Sequence, residues 1–342
     1  MATCLTLALD AMGGDHGVAV TIPAALQALR DIDDLHLLLV GDETQITEAL
    51  ARAGTAPSER LRVRHATQTI GMDEQPQLAL RKRDSSMRVA INLVKSREAD
   101  ACVSAGNTGA LMATARYALK MLAGIDRPAI ITTIPGFGHT TYMLDLGANV
   151  DVDAEHLLQF AIMGSVMVEA VSGRERPRVG LLNIGAEDIK GSDLVKRAAT
   201  LLREAPGLNY VGFIEGDGVY RNHADVVVCD GFSGNVALKS AEGAASLIGK
   251  IMREEFGRGV ASKLAGLIAR PTLRRVHERI DPRRYNGASL LGLRGIVVKS
   301  HGGADVFAYG RAIAAAITEA RAQVPTLIDR RLDAMLSERP EP

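Results

Sequence analysis

Aromatic residues are scarce in this sequence, and tryptophan is absent. Only 6 Phe and 6 Tyr occur among 342 residues, so the chain offers no stacking platform for nucleobases. Its 40 basic and 40 acidic residues balance, so the chain lacks the positive field that favours nucleic-acid binding. We therefore expect no nucleic-acid partner.

Cysteine is also rare, and its distribution argues against two kinds of site. Cys4, Cys102 and Cys229 are far apart and lie in apolar segments, which is typical of buried, reduced thiols rather than of disulfides or a metal cluster. The 8 His lack the spacing of metal ligands, and neither a metal nor another cofactor is expected. The N-terminal segment lacks the basic and then apolar pattern of a secretory signal, so a cytoplasmic protein is expected.

Strand-like and helix-like segments alternate along almost the whole chain. Near-continuous apolar segments such as 35–40 predict buried parallel strands with helices on both faces of the sheet. Segments 129–134 and 141–146 flank a turn with Pro and Gly, which predicts a hairpin and makes the sheet mixed. The expected fold class is α/β, with a mixed, mostly parallel sheet.

The composition favours one large domain. With 34 Gly and 47% hydrophobic residues, the chain can bury a sizeable core. We expect two lobes around a cleft over residues 1–330 and a tail over 331–342, with the chain peripheral after Pro325. An apolar helix over 156–171 is interrupted by polar residues well short of the roughly 20 residues of a membrane span, which predicts a buried helix or a homodimer contact.

Residues 104–110 form the most informative turn, because they join a short apolar strand to a helix. The first N–H groups of such a helix lack partners and carry the positive end of the helix dipole, which favours an anion. Gly106 and Gly109 allow an oxyanion to approach the backbone, while Asn107 and Thr108 add donors. This turn predicts an anion site.

Turns rich in Gly, Asn, Asp and Lys recur after other predicted strands. Ligands of open α/β sheets bind at the carboxyl edge of the strands, so these turns predict one shared anion-binding cleft. The turns cover residues 10–17, 183–193, 215–218, 230–235 and 300–305.

Two common phosphate motifs and one nucleophile motif are absent. Residues 190–192 have the wrong order for a P-loop, and no G-x-G-x-x-G follows the first strand. Residues 231–235 do not fit G-x-S-x-G, so Ser233 is interpreted as a turn residue. What remains is a site of backbone donors, Asn side chains and a few cations.

Five of these segments, in order, resemble the bacterial acyl-carrier-protein:phosphate acyltransferase family. The segments are residues 10–15, 104–110, 183–191, 230–235 and 299–302. The resemblance implies transfer of a fatty acyl group from acyl carrier protein to inorganic phosphate. The acyl phosphate would serve phosphatidic acid synthesis through a downstream acyl-phosphate glycerol-3-phosphate acyltransferase.

The resemblance also implies a fold similar to those of phosphate acetyltransferases and of isocitrate and isopropylmalate dehydrogenases. It further implies a homodimer that is peripherally associated with the inner membrane. Because a phosphate oxygen can attack a thioester directly, the protein needs to hold the anion and stabilise the developing oxyanion, without supplying a nucleophile.

Each polar residue of the turns then receives a hypothetical role in that reaction. The hypothesised catalytic residues are Lys190, Asn235, His301 and His16. The hypothesised phosphate-binding residues are Gly13, Gly14, Asp15, Gly106, Asn107, Thr108, Gly109, Gly185 and Lys299. Asp217 and Asp230 are expected to orient the lysines.

Four alternatives stay open. A phosphate acetyltransferase-like enzyme would use acyl-CoA as the donor, and a decarboxylating dehydrogenase of the same broad fold is disfavoured by the missing aspartate cluster and dinucleotide motif. An acyl-enzyme route would use Ser104 or Ser233 as the nucleophile. A non-catalytic membrane scaffold would leave the polar turns unexplained.

One region departs from the pattern of the cleft. Apolar residues recur at helical spacing after residue 256, stop at Pro271, where a break is expected, and resume to residue 280. This predicts a helical hairpin over 240–285 with a basic surplus, suited to anionic lipid, to an acidic carrier protein or to packing on a dimer partner. The candidate contact residues are Val260, Leu264, Leu267, Ile268, Arg274 and Arg275.

Overall fold

The computed structural model describes residues 4–337, within which eleven strands form one sheet. The strands are β1 (Leu5–Asp10), β2 (Leu35–Gly41), β3 (Leu61–His65), β4 (Ala101–Ser104), β5 (Ala129–Pro135), β6 (Thr140–Leu144), β7 (Arg178–Leu182), β8 (Asn209–Ile214), β9 (Val226–Val228), β10 (Ala288–Leu291) and β11 (Ile296–Lys299). The helices are α1 (Val18–Asp31), α2 (Glu43–Arg52), α3 (Pro76–Ala79), α4 (Ser86–Lys95), α5 (Thr108–Leu119), α6 (Ala154–Ser172), α7 (Asp193–Glu204), α8 (Gly231–Gly257), α9 (Val260–Ile280), α10 (Val306–Arg321) and α11 (Val324–Ser337).

The strand order is β3-β2-β1-β4-β11-β10-β5-β6-β9-β7-β8. β3, β2, β1, β4 and β11 are parallel, β10 is antiparallel to both its neighbours, and β6 is antiparallel to β5. The predicted mixed, mostly parallel sheet and the β5–β6 hairpin are confirmed. The four strands at the far end of the sheet, β6, β9, β7 and β8, however, run opposite to β1. The expectation that all the polar turns share one edge is therefore wrong.

Apolar side chains cover both faces of the sheet. One core cluster includes Ala8, Cys102 and Val297 and packs against α4 and α5. On the other face one cluster packs against α1, α2 and α10, and another packs against α6, α7 and α11. Helices thus lie on both faces, as predicted.

Helix α6 is the one described helix with the length and hydropathy of a membrane span. Its most apolar window is 67% buried within the fold. It lies in the core cluster that includes Phe160 and Met163, against α7 and α11. The alternative of a buried helix therefore holds, and the burial explains its hydropathy.

The chain after Pro325 is not peripheral. Ile328 and Leu332 of α11 are buried against α6, and Arg331 forms an ion pair with Glu169 at 3.4 Å. The apolar residues of α11 recur at helical spacing among charged ones, which explains why this segment packs. Part of the predicted tail over 331–342 thus belongs to α11, and residues 338–342 lie outside the described residues.

The helical hairpin is present as α8 and α9, with two corrections to its bounds. α8 begins at Gly231, before the predicted hairpin bound of 240 and inside the predicted turn over 230–235, because Asp230 caps it by accepting a hydrogen bond from the Ser233 N–H at 2.8 Å. α9 continues through Pro271, where the sequence predicted a break. A proline inside a helix removes one hydrogen bond of the ladder, which this exposed helix tolerates.

Glu319 of α10 is a buried acid with one partner. Its Oε2 accepts a hydrogen bond from Ser289 at 2.6 Å, whereas its Oε1 has no partner among the described residues. Burial raises the pKa of Glu319 to about 7. A carboxyl whose folded pKa exceeds its unfolded value favours folding most when it is protonated, so the stabilisation is lost as pH rises through 7.

Glu319→Gln is therefore expected to flatten the pH dependence of stability. Relative to the ordinary value of 4.5, a pKa near 7 corresponds to roughly 3 kcal/mol of unfolding free energy lost between pH 4.5 and 7. Urea unfolding at pH 5 and pH 8 measures this loss, with the exposed Glu59→Gln as a control. Wild type and Glu319→Gln with parallel pH profiles would contradict the assignment.

Candidate active site

Three adjacent parallel strands end in polar residues that lie in one row. In the register of β1, β4 and β11, Leu9 is level with Val103, and Lys299 is level with Ser104. Because side chains alternate between faces, Asp10, Ser104 and Lys299 share one face of the sheet. The structure thus brings the turns after β1, β4 and β11 together at one carboxyl edge.

Asp10 is fixed within this row by its neighbours. The Ser104 hydroxyl donates to Asp10 Oδ2 at 2.6 Å, and the Gly106 N–H donates to Ser104 Oγ at 3.1 Å. Burial raises the pKa of Asp10 above its usual value, opposed by hydrogen bonds from Ser104 and Ser86. This chain of contacts holds the turn after β4 on the end of β1.

The glycines of these turns are required by close backbone packing. A Cβ atom on Gly13 would lie 2.6 Å from Asp10 Oδ2 and 2.8 Å from the Gly106 nitrogen. Gly14 has a φ of +84°, in the left-handed region, and a Cβ there would lie 2.8 Å from the Gly302 oxygen. The Asp15 N–H donates to that same oxygen at 2.9 Å. The turns after β1, β4 and β11 therefore pack directly on one another.

Lys299 carries the buried cation of the site. Its side chain donates to the carbonyl oxygens of Ala105, at 3.3 Å, and of Ser300. Burial lowers the pKa of Lys299 to about 8, while Asp10 and Asp15 act in the opposite direction and the nearby Lys239 lowers it further. At neutral pH this lysine is thus a desolvated cation, an environment in which it attracts an anion strongly.

A cavity of about 1390 Å³ lies over this face of the sheet and contains four of the hypothesised site residues in its lining. They are Thr108 at the first turn of α5, Asn235 near the start of α8, Lys299 and His301. The first turn of α5 thus meets the cavity with its positive dipole end. An anion held there would lie close to Lys299.

His301 is held in place by Asn286, which the sequence interpretation missed. The Asn286 Oδ1 atom accepts a hydrogen bond from the His301 N–H at 2.9 Å, and its Nδ2 donates to Ser300 Oγ at 2.8 Å. The Gly303 N–H donates to His301 Nδ1 at 3.1 Å. In the neutral ring this arrangement assigns the proton to Nε2, which can then donate to a carbonyl oxygen.

The side chain of Asn107 has a structural role. Its Oδ1 accepts from the Ala110 N–H at 2.9 Å and so caps α5, and its Nδ2 donates to the Met72 oxygen at 2.6 Å. Its neighbour Gly109 leaves room for Pro76, whose Cγ would lie 3.0 Å from an added Cβ. These contacts fix the segment around Met72 beside the start of α5.

Lys190 and Gly185 do not reach the cavity. They lie in the loop after β7, whose strand runs opposite to β1, and the Lys190 side chain is exposed. Asn183 closes this loop by donating to the oxygens of Gly185 and Lys190, at 3.0 and 3.3 Å. The geometry of a single chain therefore separates them from Lys299.

Three further hypothesised residues lie in surroundings that differ from the predicted ones. Asp217 forms an exposed ion pair with Arg221 at 3.1 Å, and Asp230 accepts from both the N–H and the hydroxyl of Ser233 as the cap of α8. These contacts replace the predicted role of orienting lysines. His16 is exposed in the turn after β1 and is not part of the cavity lining.

Cys102 and Cys229 are buried, as expected from their apolar segments, whereas Cys4 is exposed just before β1, so the expectation of a buried thiol is wrong there. Burial raises the pKa values of the Cys102 and Cys229 thiols well above the usual value, so both are protonated core residues at neutral pH. Across residues 4–337 no group of three or more His, Cys, Asp or Glu is arranged to hold a metal ion.

Lys239 is a second cation of the cavity that sequence reasoning missed. It lies one helical turn after Asn235 on α8, lines the cavity and pairs with Glu242 at 2.8 Å. The signal for it was helical spacing, since residues four apart share a face. It went unused because the sequence interpretation placed Asn235 in the turn before the helix, so the two residues were not assigned to one helix face.

The fold is that of the phosphotransacetylases. A phosphotransacetylase from Streptococcus pyogenes superposes with a TM-score of 0.65 at 16% identity, over 94% of this chain and 95% of that chain. The 4-hydroxythreonine-4-phosphate dehydrogenase from Klebsiella pneumoniae has the same fold, with a TM-score of 0.53 at 13% identity over 92% and 99% of the chains. The expected likeness to phosphate acetyltransferases and to dehydrogenases is thus confirmed at the level of the fold.

Sequence comparison identifies the family of the chain more specifically than the fold does. Residues 5–327 match the family described as "Fatty acid synthesis protein". A phosphate acyltransferase from Alkalilimnicola ehrlichii is 62% identical over 100% of both chains, and one from Halorhodospira halophila is 61% identical over 98% of both. The chain belongs to this family of phosphate acyltransferases, as its motifs predicted.

Proposed function

We propose that the protein transfers a fatty acyl group from acyl carrier protein to inorganic phosphate. The observation that carries this proposal is the buried Lys299 beside the first turn of α5, within one cavity. A desolvated cation and a helix N-terminus together favour a multiply charged oxyanion. Membership in a family of phosphate acyltransferases supports phosphate as that anion.

In the proposed reaction, phosphate is held by Lys299 and by the first turn of α5 at Thr108, while the glycines of the turns around Gly13 and Gly106 allow the close packing that fixes this site. One phosphate oxygen attacks the thioester carbon, the new C–O bond forms, and the C–S bond breaks to release the thiolate of the carrier. His301, through its Nε2–H, stabilises the oxyanion that develops on the carbonyl oxygen, and Asn235 supplies a second donor. Because a thiol ionises near pH 8.5, the leaving group needs little acid assistance.

The surroundings of the two serines argue against an acyl-enzyme. Ser104 is buried and its hydroxyl is engaged with Asp10 at 2.6 Å. Ser233 lies in the first turn of α8 with its hydroxyl on Asp230 at 2.7 Å. A serine nucleophile requires a base that accepts its proton and an open approach for the substrate. Neither serine has a histidine partner among the described residues.

The choice of donor separates this proposal from acyl transfer from coenzyme A. Purified protein is given the same long acyl chain on acyl carrier protein or on CoA, at matched concentrations and saturating phosphate. A much higher kcat/KM with the carrier protein supports the proposal. Equal or better use of the CoA thioester would favour a phosphate acetyltransferase-like enzyme instead.

The α8–α9 hairpin supports a peripheral location on the cytoplasmic face of an anionic membrane. Val260, Leu264, Leu267 and Ile268 are all exposed on α9, with Ile268 at 82%. Exposed aliphatic residues at helical spacing next to arginines such as Arg274 and Arg275 suit a lipid surface. A product with a lipid chain would there reach a membrane-bound acyl-phosphate glycerol-3-phosphate acyltransferase. The same surface also suits the acidic carrier protein or the second subunit of a homodimer.

Leu264→Glu combined with Leu267→Glu is expected to abolish most co-sedimentation with anionic liposomes, because charged side chains replace the apolar ones that would insert into the lipid. Sedimentation with vesicles that contain phosphatidylglycerol measures this, and thermal unfolding checks the fold. Val211→Glu on the edge strand β8, where the valine is also exposed, is the control. Undiminished sedimentation of the double variant would contradict the membrane role of α9.

A further inference from the structure

The cavity extends away from Lys299 along one face of α8. Leu238, Ala241, Ala245 and Ile248 all line it, and their spacings of three and four residues place them on one side of the helix. β5 and the turn after it also contribute to the lining, with Ile134 among their residues, and α9 contributes Val276 and Ile280. An apolar groove thus continues from the polar end of the cavity.

This groove has the length for a long alkyl chain. Ile248 lies nine positions after Lys239, which corresponds to a rise of about 14 Å along the helix. Lys239 marks the polar end, since its charge acts on the pKa of Lys299. Glu242, which pairs with Lys239, belongs to the polar end, and beyond it the α8 residues of the lining are Ala244, Ala245 and Ile248, of which Ile248 is 52% exposed at the surface. The groove therefore leads from the cation site to solvent.

We propose that this groove holds the acyl chain of the donor, and that Ala241, Ala245 and Ile248 determine which chain lengths the enzyme accepts. The inference rests on the proposed acyl transfer to phosphate. Each methylene buried in the groove contributes roughly fourfold to affinity, so long chains bind more tightly than short ones up to the groove's length. The two alanines leave the space that the chain occupies.

Ala245→Phe tests the assignment, because a large side chain there closes the groove about 9 Å from Lys239. Acyl donors of 8 and 16 carbons are compared by the kcat/KM of phosphate-dependent thiol release. We expect Ala245→Phe to lose at least roughly tenfold with the 16-carbon donor and to stay within about twofold of wild type with the 8-carbon donor. Ser246→Phe, one residue further along the helix, exposed and outside the lining, is the matched control.

The outcomes separate the groove from the reaction. An active wild type in which Ala245→Phe and Ser246→Phe have the same chain-length profile would overturn the assignment of the groove. A wild type that forms no acyl phosphate from any donor would refute the proposed function, and the inference with it. If Ala245→Phe does not fold, as judged by thermal unfolding, Ala245→Leu makes the same comparison with a smaller obstruction.

Discussion

Replacing Lys299 by methionine is expected to lower kcat/KM for phosphate roughly 10²- to 10³-fold, the usual loss when one charged or oxyanion-stabilising group is removed. Methionine keeps the length and the apolar stem of lysine, so the change removes mainly the charge. Initial rates against phosphate concentration, at a fixed concentration of acyl donor, measure the loss. Lys250→Met provides the control, because Lys250 is an exposed lysine of α8 that forms a surface ion pair with Glu254.

The same lysine sets an expected pH dependence. Since the pKa of Lys299 is lowered to about 8, the ammonium is present below pH 8 and is lost above it. The KM for phosphate should therefore rise as pH increases through about 8, whereas Lys299→Arg, which stays charged, should lack this rise. A wild-type KM that is constant from pH 7 to pH 9 would contradict the role of Lys299 in phosphate binding.

Gly234→Ala has the largest expected effect on stability. A Cβ at this position would lie 1.9 Å from the backbone oxygen of Asp145 and 2.8 Å from Cys229 Sγ. Backbone atoms cannot rotate away, so the start of α8 must separate from the turn after β6. We expect a loss of roughly 3 kcal/mol or more in unfolding free energy, measured by urea denaturation.

Gly243→Ala is the matched control, because it is the same change in the same helix. An added Cβ at Gly243 meets nothing within 4 Å. Alanine has the higher helix propensity, so this variant is expected to gain about 0.5–1 kcal/mol. Equal stability of the two variants would show that the contact between α8 and the turn after β6 is not as tight as the structure has it.

The local elements were largely predictable from the sequence, because each depends on neighbouring residues. The near-continuous apolar segment 35–40 gave β2, and the Pro- and Gly-containing turn between segments 129–134 and 141–146 gave the β5–β6 hairpin. The start of α8 was placed late because residues 231–235, rich in Gly and Ser, look like a loop until the Asp230 cap is seen. The strand β10 was missed because it is short and antiparallel, and only its pairing with β5 and β11 defines it.

The site was predictable where it depends on adjacent parallel strands, and not where it depends on strand direction. The glycine turns after β1, β4 and β11 meet as expected, since their strands are neighbours in one parallel block. The predicted β5–β6 hairpin implied that β6 runs opposite to β5, but nothing in the sequence shows that β9, β7 and β8 continue parallel to β6, so Lys190 was grouped with Lys299. Asn235 reaches the cavity because the start of α8 packs beside β6 and the turn after it, a tertiary feature with no local signal.

The most direct test of acyl transfer to phosphate is the release of free thiol from a long-chain acyl carrier protein, with the product trapped by hydroxylamine. We expect thiol release that rises and saturates with phosphate concentration, together with an equal amount of acyl hydroxamate. Thiol release that is independent of phosphate, or the absence of release from both carrier-protein and CoA donors, would contradict it.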